Sequence, residues 1–225
     1  MKDDVIERQL SDAILRGDAD TAQAKAKVLA QYAEDPTEAL DELYDAFRTA
    51  ESLHALGEYD EQRFAASASA ARASLDVLKS SLIPKQTRFT ARVSVGPVSG
   101  GNDVMSSIMA AMLAAAGHQA IDLSRATTPK ELLRNAEQNG AELLIVSFDD
   151  QTAAAAKEFA DEFQSGGFSS KFEVIAFLRA TQSAPVEPSP YAFVAYDSLE
   201  LLSGITEFLI RTRGSPSVTA NPGVG

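Results

Sequence analysis

Apolar and polar positions repeat with two different periods along this chain, and the change falls near residue 84. Before it the spacing is helical throughout. Val5, Leu10, Ile14 and Leu15 share one helical face that ends at Gly17, and Asp20 or Thr21 can start a second helix through Ala24, Val28, Leu29 and Tyr32. Asp35-Pro36-Thr37 restarts the pattern, with Pro near the first turn and Glu38, Asp41 and Glu42 placed to complement the helix dipole. Leu40, Leu43, Tyr44 and Phe47 then form an i, i+3, i+4, i+7 stripe. After Gly57 a last helix is expected from about Asp60 through Phe64, Ala68, Ala71, Leu75 and Leu78 to Leu82. Four helices with short connections predict a bundle over residues 1–84.

Ile83-Pro84-Lys85-Gln86-Thr87 reads as an interdomain linker, and beyond it short apolar runs alternate with helical ones. Strands are expected at 89–96, 119–123, 142–147, 172–178 and 191–195, and helices at about 102–116, 128–139, 151–165 and 197–212. Thr128-Pro129-Lys130-Glu131 is a helix start and Asn139-Gly140 a stop. This alternation predicts a doubly wound α/β domain with a parallel sheet over 85–213. The Ser-, Pro- and Gly-rich tail from Gly214 is expected to be disordered. Phe89–Leu123 is the organising unit: strand, Gly-rich turn, Ala/Met-rich helix, strand, with the turn where such folds bind ligands.

Composition narrows the chemistry. There are no cysteines and two histidines, His54 and His118, so thiolate catalysis, Cys-ligated metals and multi-His metal sites are excluded. Net charge is −12, and the acidic excess concentrates in the first 84 residues, which hold 17 Asp/Glu against 9 Lys/Arg. No basic patch marks a nucleic-acid surface. No apolar run approaches the ~20 residues of a membrane span, and MKDDVIERQL lacks the apolar core of a secretory signal, so a cytoplasmic location is the expectation.

A helical bundle feeding a five-stranded Rossmann-like (flavodoxin-like) domain resembles the corrinoid, or cobalamin-binding, proteins of methyl-transfer systems and cobalamin-domain sensors. Residues 53–84, LHALGEYDEQRFAASASAARASLDVLKSSLIP, are similar to the end of that family's helical cap. Residues 109–148, MAAMLAAAGHQAIDLSRATTPKELLRNAEQNGAELLIVSF, resemble the first helix to the third strand of its cobalamin domain. AYDSLELL, residues 195–202, resembles the family's short Tyr-containing loop before its last helix, with Tyr196 in that place. The resemblance implies a cobalamin site between the cap and the C-terminal edge of the sheet.

Three motifs would build that site. The family's D-x-H-x-x-G turn supplies a His that ligates cobalt from below. Aligned through Ile108, Gly117 and Ile121-Asp122-Leu123, it falls on Gly100, Gly101, Asn102, Asp103, Val104 and Met105, so an amide stands in the place of the His. The family's Ser near the end of the third strand is matched by Ser147. Its Gly-Gly pair after the fourth strand, which makes room for the buried nucleotide tail, is replaced by Phe177-Leu178. One motif of three is kept, which is what loss of the standard cofactor mode would look like.

Each candidate also has a plain structural reading. Gly96–Gly101 can cradle an anion at a helix N-terminus or be a turn that binds nothing. Asn102 or Asp103 suits the N-cap of the next helix. Ser147, Asp149 and Asp150 can hold a polar ligand or cap the helix beginning near Gln151. His54 takes the place of a cap Trp in light-sensing members, and can ligate the metal of a corrinoid or haem from above or be a polar side chain of the bundle. His118 reads as a surface residue, and Met105, Met109 and Met112 as helix packing. The leading expectation is a cobalamin-domain protein without the lower-ligand His, acting as a non-catalytic carrier, sensor or regulatory partner, with a protein partner or a homodimer in view. A base-off methyl-carrier subunit of a methyltransferase system, a haem or tetrapyrrole sensor using His54, and a ligand-free interaction module stay open beside it.

Overall fold

A computed structural model describes residues 2–32, 36–98, 103–148, 153–179 and 190–214. Four helices come first: α1 (Lys2–Arg16), α2 (Ala19–Tyr32), α3 (Pro36–Ala55) and α4 (Glu61–Lys79). Ile6, Leu10, Ala13 and Ile14 turn inward on α1 and set its stripe. Val5, placed on that face by the sequence pattern, is half exposed because it lies five residues from Leu10, off the i, i+4, i+8 phase. On α3 the stripe Leu40, Leu43, Tyr44 and Phe47 is buried as expected. Asp60 caps α4 by accepting the Arg63 N–H at 2.7 Å. The helix stops at Lys79, three residues short of the expected Leu82. Ser80 turns its hydroxyl back to the Val77 carbonyl at 2.7 Å, and Pro84 follows.

The sheet follows as β1 (Arg92–Pro97), β2 (Gln119–Asp122), β3 (Leu143–Phe148), β4 (Glu173–Leu178) and β5 (Phe193–Ala195), all parallel, in the order β2-β1-β3-β4-β5. This is the flavodoxin-like order of a doubly wound sheet. α5 (Val104–Ala115) and α8 (Ser198–Arg213) cover one face, α6 (Pro129–Gln138) and α7 (Ala153–Ser165) the other. β1 starts three residues later than the pattern of 89–96 implied, because the Ala91 N–H turns to the His118 ring instead of a ladder partner. β5 is shorter than 191–195. The tail expected to be disordered lies, after Gly214, outside the described residues.

The cap does not sit apart from the sheet. One core cluster runs from Leu10 of α1 through Leu75 of α4, Ile108 of α5 and Ile145 of β3 to Leu209 of α8. α5 is the layer between cap and sheet, which explains its character: eleven of its twelve residues are buried, Met105, Met109 and Met112 among them, with no polar face left for water. The linker is fastened too, Lys85 donating to the Ala115 carbonyl at 2.8 Å. Gly117 makes this approach feasible: its φ is +95°, and a Cβ there would lie 2.3 Å from the Lys85 oxygen.

Candidate functional site

The C-terminal edge of the sheet is where a doubly wound fold binds its ligands, beside the switch between β1 and β3. Four of the sequence candidates can be placed there or above it. Gly100, Asn102, Asp149 and Asp150 lie outside the described residues. Asp103 is the N-cap of α5: its Oδ2 accepts the Ser106 N–H at 3.0 Å and the Ser106 hydroxyl, and its own N–H donates to the Ser124 carbonyl at 3.1 Å. Ser147 is 1% exposed, opposite Pro97 and Phe177 in the ladder. Strand alternation puts it with Leu143 and Ile145 on the cap side, and its hydroxyl finds no hydrogen-bond partner among the described residues.

Phe177 and Leu178 are the last two residues of β4 and are 0% and 1% exposed. Phe177 faces the cap side, in the cluster shared with α5 and α8, and Leu178 the opposite core. A fully buried phenyl group therefore fills the layer beside Ser147. A nucleotide tail entering between sheet and α5 at this level would have to displace the Phe177 ring.

Arg179 follows β4 directly, its N–H donating to the Phe148 carbonyl at 3.1 Å. Its Nη1 donates to Glu51 Oε1 of α3 at 2.8 Å and to Asp103 Oδ1 at 2.7 Å. Arg179, Glu51 and Asp103 are 8%, 19% and 10% exposed. Two turns before Glu51 on α3, Tyr44 is buried, its hydroxyl without a partner among the described residues. Burial pushes its pKa up to about 12, with the Arg48 charge working against the shift. Arg179 and Glu51 carry no sequence motif. The one available signal was the phase of α3, where Glu51 continues the apolar stripe four residues after Phe47; a carboxylate in that phase needs a partner.

The remaining candidates lie further out. The His54 ring stacks on Phe64 at 4.5 Å and 2°. Nδ1 is 2.9 Å from the Tyr59 carbonyl, which can only accept, so Nδ1 carries the hydrogen. Nε2 is the nitrogen left for a metal and stands 3.5 Å from Glu61 Oε2. Among the described residues no group of three or more acidic or His side chains could hold a metal ion. Tyr196 is half exposed and lines an open groove of about 540 Å³ between β5 and α8, with Phe193, Glu200 and Arg211. His118 is half-buried rather than on the surface, and its Nδ1 accepts the Ala91 N–H at 3.4 Å. No described helix is long and apolar enough to cross a membrane.

A helical cap laid over the C-terminal edge of a five-stranded parallel sheet defines the corrinoid-protein fold. In particular, the chain superimposes on the monomethylamine corrinoid protein of Methanosarcina barkeri with a TM-score of 0.71, at 14% identity over 91% of this chain and 99% of that one. A cobalamin-binding protein from Desulfitobacterium hafniense matches with a TM-score of 0.44 at 18% identity, over 90% of this chain and 98% of that one. The methanol:cobalamin methyltransferase complex of Methanosarcina barkeri matches with a TM-score of 0.44 at 20% identity, over 91% and 80%. No protein-family model and no curated protein matches the sequence.

Proposed function

We propose that this chain is a non-catalytic, corrinoid-fold protein that acts as a regulatory partner of other proteins and holds no cobalamin. The observation that supports the reading most is Phe177, fully buried where a nucleotide tail would need backbone without side chains. The sequence adds Asn102 in the place of the cobalt-ligating His, and an amide is a poor cobalt ligand. The fold shared with a corrinoid protein supplies the frame of the proposal, and the altered residues its departure from carrier chemistry. Titration of the purified protein with methyl-, hydroxo- and adenosyl-cobalamin tests it. No change of the cobalamin absorption spectrum and no co-elution on gel filtration are expected, whereas a retained, spectrally shifted corrinoid would overturn the proposal.

A second reading, a base-off corrinoid carrier, draws on Ser147. Its buried hydroxyl has no partner among the described residues and is aligned with the family's serine. In that case the same titration yields a base-off spectrum that Ser147→Ala weakens.

A further inference from the structure

Arg179 draws together three segments that are remote in the chain: it lies 128 residues from Glu51 and 76 from Asp103. Each segment is fixed on its own. Arg179 continues the β3–β4 ladder through Phe148, Asp103 is held as the N-cap of α5, and Glu51 rides on a helix anchored by Tyr44 and Phe47. At 8% exposure a guanidinium has lost most of its hydration and needs counter-charge close by; the two carboxylates need it equally. Movement of α3 away from the sheet edge would separate Glu51 from Arg179, while Asp103 stayed with the guanidinium.

We propose that Glu51, Arg179 and Asp103 form a latch that holds the cap closed on the C-terminal edge of the sheet. The proposal goes beyond the function proposed above: it concerns what holds the cap, whatever the protein partners are. The latch ties α3 to the edge, while the opposite face, with α6 and α7, takes no part in it.

Hydrogen exchange in a double-mutant cycle tests it. In Arg179→Ala the amides of α3 from about residue 48 to 55 should exchange at least about tenfold faster than in the unaltered protein. Those of α6, on the opposite face of the sheet, should speed up less than those of α3. Glu51→Ala/Arg179→Ala should be no faster than Arg179→Ala alone, because the two side chains act as one unit. Exchange in α3 that stays within about twofold, or effects of Glu51→Ala and Arg179→Ala that simply multiply, would overturn the latch. If the alanine variant does not fold, Glu51→Gln and Arg179→Gln run the same cycle with the same criterion. Cobalamin uptake by the unaltered protein would overturn the proposed function and leave this cycle as it stands; multiplying effects would do the reverse.

Discussion

Two arginines sit at opposite edges of the same sheet, and their surroundings differ in one decisive respect. Arg179 at the C-terminal edge is 8% exposed and held by two carboxylates from separate elements. Arg213 at the other edge is 36% exposed, bonded to the Thr90 carbonyl and to Glu142 of the β3 start. Arg179 has two carboxylates and Arg213 one carboxylate and one carbonyl, and the larger difference between them is hydration. Water can replace what Arg213 loses, and an exposed pair of this kind contributes about 0 to 1 kcal/mol. Nothing replaces what Arg179 loses, and breaking a buried pair from one side costs several times more. An ion pair fixes architecture only where solvent cannot compete for it, which here is the edge under the cap.

The largest expected effect breaks the buried side. Arg179→Ala should lower stability by about 4 kcal/mol, since it removes the buried counter-charge that Glu51 and Asp103 share. For a chain of this size that is a fall in melting temperature of about 10 °C in a calorimetric scan. Phe177→Ala is expected to cost about 3 kcal/mol through the cavity it leaves beside Ser147, measured by urea unfolding. Arg213→Ala should cost less than about 1 kcal/mol by the same measurement.

The exposed edge is better examined by pH. The His118 pKa is held below the ordinary 6.5 by burial and by the Arg213 charge, and its Nδ1 must be unprotonated to accept the Ala91 N–H. Both states are neutral well above pH 6.5, where this contribution to stability is complete. As pH falls through 6.5 the unfolded chain takes up a proton first, and the contribution is lost until the folded pKa is passed. A melting temperature that falls between about pH 7 and 5 should therefore fall less in His118→Gln. In Arg213→Ala the His118 pKa, followed by NMR, should rise toward 6.5.

Much of the fold could be read in the sequence because its signals are local. The Leu40–Phe47 stripe, the Thr128-Pro129 helix start and the change of period after Pro84 each lie within a few residues. Of the site, the sequence carries identities at aligned positions: Phe177-Leu178 can be followed into the buried end of β4, while Asn102 lies outside the described residues. The site was not legible where it depends on meeting partners from afar. Arg179 is a single charge after a strand, and nothing within 70 residues of it in the sequence announces Asp103 or Glu51. Val5 was misplaced for a related reason: a helix phase is set by the residues that find partners, here Ile6 and Leu10, and not by apolarity alone.

The central claim is that Glu51, Arg179 and Asp103 hold α3 closed on the C-terminal edge of the sheet without a ligand. Its most direct test is amide exchange over residues 44–55 of the unaltered protein, with and without an excess of hydroxocobalamin. The account predicts the same strong protection in both samples. Weak protection that rises when the corrinoid is added would contradict it.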